Sequence, residues 1–127
     1  MTKSINPKPT DRELTILRIL WDRGPSTVRD VNETMNAMEP TGYTTTLKFM
    51  QIMVEKGLLV RDESKWRHVY KAASTEKKTQ TQLVRGLLDK AFAGSTEKLV
   101  LRALTAKKVP AEELARIKEI IDQLEGS

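Results

Sequence analysis

The stretch Gly42-Tyr43-Thr44-Thr45-Thr46-Leu47-Lys48-Phe49-Met50-Gln51-Ile52-Met53-Val54-Glu55-Lys56-Gly57 decides how this chain folds. It predicts one helix with a sharp stop, because a glycine after Lys56 suits a left-handed terminus and lets Leu58 fold back on the last turn. Tyr43, Leu47, Met50 and Val54 recur at spacings of four, three and four, which stacks them on one side and marks that side as inward. Thr45, Lys48, Phe49 and Ile52 fall on the opposite side. A surface helix ordinarily carries charges there, whereas this one carries hydroxyls, one cation and two apolar groups. Such a mixture suits a DNA major groove, where hydroxyls meet base edges or phosphates and apolar groups meet thymine methyls. The other reading is that Phe49 and Ile52 are core, covered by a neighbouring element. The helix alone leaves both open.

On the N-terminal side, Thr10 and Glu13 predict a capping box with Pro9 just outside it. Leu14, Leu17, Leu20 and Trp21, widened by Ile16 and Ile19, give a broad apolar face, so this helix is expected to be central and Trp21 to belong to the core. Arg23-Gly24-Pro25 ends it. Ser26 or Thr27 caps a second, short helix with Val28, Val31 and Met35 inward and Arg29, Asp30 and Glu33 toward water. The segment from Asn36 to Gly42 is expected to leave the helix, since Pro40 pushes Glu39 out of the helical region. Two helices, a turn and a presented third helix make the helix-turn-helix order.

On the C-terminal side, Leu58-Leu59-Val60-Arg61 and Arg67-His68-Val69-Tyr70-Lys71 are strand-like and flank the polar Asp62-Glu63-Ser64-Lys65-Trp66. Three helices closed by a β-hairpin form a winged helix. Its wing reaches the adjoining DNA backbone or minor groove, and Lys65 and Arg67 near the tip suit phosphate; the bland alternative is a solvated hairpin. Arg29 and Lys71 are weaker candidates for backbone contacts. His68 has no second His or Cys to make it a metal ligand.

Ala72-Ala73-Ser74-Thr75 marks the expected boundary, with a winged-helix domain over residues 1–73 and a helical dimerisation domain over residues 74–127. Residues 76–92 carry Leu83, Val84, Leu87, Leu88, Ala91 and Phe92, and Gly94 stops that helix. Ser95 caps the next, with Leu99, Val100, Ala103 and Leu104 inward. Pro110 starts a last helix in which Leu114, Ile117, Ile121 and Leu124 repeat at three, four and three, a short heptad-like seam. Three amphipathic helices in about 50 residues are too few to bury their own apolar faces, which predicts pairing with a second copy. The alternative is that the last helix folds back on its own chain.

Composition closes off several classes of function. The chain has 127 residues, no cysteine and one histidine, which leaves no disulfide, no thiol nucleophile and no Cys or His-pair zinc site. There are no paired carboxylates, phosphate loop or nucleophile motif at a useful spacing, so no enzymatic activity and no cofactor are expected. The net charge is +5, spread as +3 over residues 1–73 and +2 over residues 74–127, which fits a polyanionic partner without a basic tail. No stretch suits a membrane span and the first residues lack an apolar signal core, so a cytoplasmic protein is expected.

The residues resemble the penicillinase repressors of the BlaI/MecI/CopY type, over Pro9 to Gly126. The likeness lies in Leu14-Thr15-Ile16-Leu17-Arg18-Ile19-Leu20-Trp21, in Thr27-Val28-Arg29-Asp30-Val31, in Tyr43-Thr44-Thr45-Thr46-Leu47 and in Glu55-Lys56-Gly57-Leu58-Leu59. It continues in Phe92-Ala93-Gly94-Ser95 and Pro110-Ala111-Glu112-Glu113-Leu114. The resemblance implies a dimeric repressor on a palindromic operator of double-stranded DNA. Thr44, Thr45 and Lys48 are then on the recognition helix, and the C-terminal helices intertwine with a partner's. In members governing β-lactam resistance an activated protease cuts at an Asn-Phe pair. The corresponding place here reads Leu101-Arg102-Ala103, so the partner protease is left in question. Copper-responsive relatives use paired C-terminal cysteines, and this chain has none.

The expected fold is therefore mainly α with a small β-hairpin wing: a winged helix-turn-helix domain and a C-terminal helical dimerisation region. Thr44, Thr45, Lys48, Phe49, Ile52, Lys65 and Arg67 are the expected DNA contacts, and Leu87, Leu99, Leu114, Ile117, Ile121 and Leu124 the dimer contacts. The competing function is a winged-helix protein-interaction module using Phe49 and Ile52, which weak salt dependence of binding would favour.

Overall fold

A computed structural model of the chain describes residues 8–64 and 66–126. In chain order the elements are α1 (Asp11–Arg23), α2 (Val28–Met38), α3 (Tyr43–Glu55), β1 (Leu59–Asp62), β2 (Val69–Ala72), α4 (Glu76–Ala91), α5 (Thr96–Thr105) and α6 (Ala111–Glu125). Among the described residues, six helices and one antiparallel hairpin give a mainly helical fold with the winged-helix order. The chain forms two compact units that divide within α4, between Leu83 and Val84.

Local chemistry sets the helix ends in the first unit. Thr10 Oγ1 accepts the Glu13 N–H at 3.2 Å while Glu13 Oε1 accepts the Thr10 N–H at 3.0 Å, the reciprocal box that the spacing predicts. Thr27 and Asp30 repeat it on α2. Asp30, expected to face water, keeps its side chain 40% exposed while its carboxylate also bends back to accept the Thr27 N–H. The second helix also runs further than the sequence suggests, through Asn36 to Met38, before Glu39 turns extended ahead of Pro40. Gly57, with φ of +83°, ends α3: its N–H donates to the Val54 carbonyl at 3.1 Å and the Leu58 N–H to the Met53 carbonyl at 2.8 Å.

The core lies among α1, α2, α3 and the hairpin: Ile16, Leu17, Ile19 and Leu20 meet Val31, Met35, Met50, Met53, Leu59 and Tyr70. Trp21 packs against this cluster, as expected, and its indole N–H donates to the Ser74 carbonyl at 2.9 Å. The strands start one and two residues later than expected, and Leu59 pairs with Ala72 and Asp62 with Val69. Ser26, just before α2, bridges to Tyr70 through two backbone bonds of 2.9 and 2.8 Å, so the hairpin is tied to the helix-turn-helix as well as to α3.

The inward stripe of α3 corrects the sequence reading. Thr46, Met50 and Met53 are buried, Leu47, Phe49 and Val54 are half-buried, and Tyr43 is 51% exposed. The stripe is rotated by roughly 60° from the expected one at 3.6 residues per turn. The cause is Thr46. Its Oγ1 accepts from Asn32 Nδ2 at 2.9 Å and lies 3.9 Å from Met35 Sδ, so a hydroxyl occupies the centre of the buried face with its bonding satisfied.

In the second unit α4 ends after Ala91 where Ala93 and Gly94 take positive φ, and the Gly94 N–H donates to the Leu88 carbonyl at 2.9 Å. Ser95 caps α5 by accepting the Lys98 N–H at 3.2 Å, and Pro110 stands immediately before α6. No residue of α5 or α6 is buried. Leu99 and Leu104 are half-buried, whereas Val100 and Ala103, also expected inward, are exposed.

Candidate nucleic-acid interface

The third helix is held at three places. At its start, the turn from Glu39 to Gly42 is closed by side chains: the Thr41 N–H donates to Asn36 Oδ1 at 2.8 Å, and Asn32 Nδ2 donates to the Thr41 carbonyl at 2.9 Å as well as to Thr46. In its middle, Met50 and Met53 enter the core. At its end, Lys56 Nζ reaches Glu13 on α1 at 2.7 and 3.0 Å. Burial, the largest single influence on the Glu13 carboxyl, pushes its pKa up. The Lys56 hydrogen bond and charge and the bonds from the Thr10 backbone and hydroxyl together outweigh it and hold the pKa below the ordinary glutamate value.

Clamped in this way, α3 turns Thr44, Thr45, Lys48, Gln51 and Ile52 outward. Gly42 at the N-cap supplies no side-chain acceptor and the first turn holds no acidic residue, so the opening N–H groups face a helix-dipole end free of carboxylate. Lys48 enters none of the ion pairs among the described residues. Of the two apolar residues left open by the sequence, Phe49 is half-buried and packs against the core, while Ile52 is 38% exposed. A surface built on Phe49 and Ile52 together therefore exposes Ile52 in part and Phe49 less.

Gln51 was missed by the sequence reading. Thr44, Lys48, Gln51 and Glu55 repeat at four, three and four and all are exposed, so Gln51 sits at the middle of the outward face. Glutamine there offers the paired donor and acceptor that match adenine in a major groove. Asn32 was missed too, because a polar residue on a short helix gives no periodic signal.

The wing adds a second group. Arg67 is exposed, and its guanidinium carbon lies 5.1 Å from the centre of the Trp66 ring. Lys65, expected beside it, lies outside the described residues. Trp66, Arg67 and His68 line a groove of about 360 Å³ with Thr27, Arg29 and Tyr43. Arg61, further down the hairpin, is raised above the ordinary arginine value first by the Tyr70 side chain and then by Glu63, to which its NH2 group lies at 2.6 Å.

In the second unit the expected contact residues are open to solvent in the single chain: Leu87, Leu114, Ile121 and Leu124 are exposed and Leu99 and Ile117 half-buried. Val84, already part of the expected apolar face of α4, and Leu101 and Ile120, which were not assigned to one, are exposed apolar residues of the same unit. Among the described residues no group of three His, Asp or Glu could hold a metal ion, and no helix is long and apolar enough to cross a membrane.

The family model described as penicillinase repressor matches residues 9–123. Two proteins of Mycobacterium tuberculosis, from strains CDC 1551 / Oshkosh and ATCC 25618 / H37Rv, each named transcriptional regulator BlaI, are 27% identical to the chain over 122 residues, covering 91% of it and 84% of their own length.

Proposed function

The chain belongs to the penicillinase repressor family and is with it a DNA-binding transcriptional repressor, and from that premise we propose that it works as a homodimer on a palindromic operator. Residues 1–73 serve as the reading domain and residues 74–127 as the dimerisation domain. The observation that carries the reading is the outward face of α3: exposed Thr44, Thr45 and Lys48 behind an N-terminus without a side-chain cap or a carboxylate. Hydroxyls and opening N–H groups are suited to phosphate, Lys48 to a guanine or a phosphate, and Gln51 and Ile52 to adenine and a thymine methyl. Arg67 and Lys65 bring the cations of the wing to the DNA beside the half-site.

Dimerisation is supported by the second unit. No residue of its α5 or α6 is fully buried in the single chain, and Leu114, Ile121 and Leu124 stay exposed on a heptad-like seam. A two-fold dimer places two copies of α3 in major grooves about 34 Å apart, and a bound dimer excludes polymerase from the promoter. The α5 segment Leu101-Arg102-Ala103 lacks an Asn-Phe pair, so a protease of that specificity finds no such pair there.

A shift assay on the DNA upstream of the chain's own gene, against a scrambled duplex, tests the reading. Selective binding that weakens steeply with salt is expected, since phosphate contacts release counterions. Equal binding to both duplexes would turn the repressor into a non-specific architectural protein.

A further inference from the structure

The tip of the wing carries an indole that the fold does not use. Trp66 is 89% exposed and belongs neither to the core nor to the residues packed on it. The other tryptophan, Trp21, packs against the core and bonds Ser74. The polar groups around Trp66 sort themselves in the same direction. Asp62 accepts from the Ser64 N–H at 2.9 Å and from its hydroxyl at 2.6 Å, and Glu63 is held by Arg61. Both wing carboxylates are thus engaged inside the hairpin. Arg67 enters none of the ion pairs among the described residues and is instead steered by the ring it lies over. The groove these two residues share with Arg29, Tyr43 and His68 has no carboxylate in its lining.

From this juxtaposition we infer that Trp66 and Arg67 form a reader of the DNA minor groove flanking each half-site, the indole packing on the deoxyribose wall and the guanidinium entering the groove. The bases of an intact duplex are stacked on one another, so an indole beside the groove finds the apolar faces of the sugars. Arginine suits the floor of a narrow A·T-rich minor groove, whose negative potential is enhanced and whose acceptors lie at its base. Fixing the guanidinium over the ring beforehand reduces the rotamer freedom lost on binding. Exposure of a large apolar group beside an oriented, unpaired cation is what such a contact needs, and on a hairpin tip neither contributes to packing. The inference rests on α3 being the DNA-reading helix and adds to it a preference for what lies beyond the half-site.

The test uses the full-length protein and two operator duplexes that differ only in A·T or G·C flanks. Wild type is expected to prefer the A·T flanks. Trp66→Ala is expected to lose roughly tenfold in affinity on the A·T duplex, the loss of one desolvated cation–π and apolar contact, with the preference between flanks abolished. Arg67→Ala abolishes the preference as well and lowers the salt slope by about 1, whereas Trp66→Ala leaves the slope unchanged, because only the arginine carries charge. Acrylamide quenching that is present in wild type and missing in Trp66→Phe reports Trp66 itself, and the operator is expected to shield it. Thermal melts matching wild type confirm that the variants are folded. Wild type that binds the operator with Trp66→Ala unchanged in affinity and preference, or with Trp66 equally quenched with and without DNA, overturns the wing-tip inference alone. Wild type that binds neither duplex above a scrambled control overturns the reading of α3 together with it.

Discussion

Separating Lys56 from Glu13 releases the end of α3 from α1, and the cost depends on which partner is removed. The Glu13 side chain is only 3% exposed and accepts three bonds, two from Lys56 and one from the Thr10 N–H, while Lys56 is about one-third exposed at 33%. Lysine without its partner regains water; the carboxylate does not. Lys56→Met therefore leaves an unpaired charge in the interior and is expected to cost about 3 kcal/mol, the lower end of the range for breaking a buried pair. Glu13→Gln keeps an amide oxygen for Thr10 and frees Lys56 to hydrate, and is expected to cost about 1.5 kcal/mol. The double variant is expected to be more stable than Lys56→Met alone.

The pH dependence of the two proteins differs in sign. In wild type the folded pKa of Glu13 is depressed, so the contribution is complete above the unfolded value of about 4.3 and is lost as pH falls through the folded value. In Lys56→Met only the Thr10 bonds remain to oppose burial, the largest influence, so the carboxyl is expected to rise and acidification to protonate it and relieve the penalty. The difference between the two proteins is expected to shrink as pH falls from about 7.5 to about 5. Urea unfolding at one fixed protein concentration measures it, since association shifts apparent stability. Equal costs for both single variants, or a Lys56→Met penalty that does not change with pH, would refute the reasoning.

Lys48→Ala is expected to weaken operator binding about tenfold and to lower the salt slope by about 1 if its partner is a phosphate, while leaving the urea midpoint unchanged; fluorescence anisotropy across a salt series reads both. Asn32→Ala leaves Thr46 Oγ1 and the Thr41 carbonyl without their donor and is expected to cost about 2 kcal/mol by chemical unfolding. Ile121→Glu sets a charge in the seam of α6 and is expected to convert the dimer to monomers in sedimentation velocity, with operator affinity falling alongside; a dimer that persists would remove α6 from the interface.

The parts of this fold that were legible in the sequence are those whose cause is local. Thr10 and Glu13 are three residues apart, Gly57 needs only its own backbone, and Ser95 and Pro110 mark helix starts within a turn. The parts that were not legible depend on partners distant in sequence. Lys56 reads as the last charged residue of a helix, and nothing nearby says that Glu13 waits for it across the core. Thr46 reads as one of three similar threonines, yet Asn32 makes it the buried one and thereby leaves Thr44 and Thr45 outside. An apolar-stripe reading registers only groups buried for lack of polarity, so it errs where a polar group is buried because its bonding is satisfied. That condition holds at the joint between α2 and α3, where the hydrogen bonds of Asn32 rotate the helix that the site is built on. The misplacement of Tyr43 and the oversight of Gln51 are thus one error, and the same rotation decides Phe49, which the sequence left open. The rotation that turns Tyr43 out and Phe49 toward the core also brings Lys48 and Gln51 to the centre of the outward face.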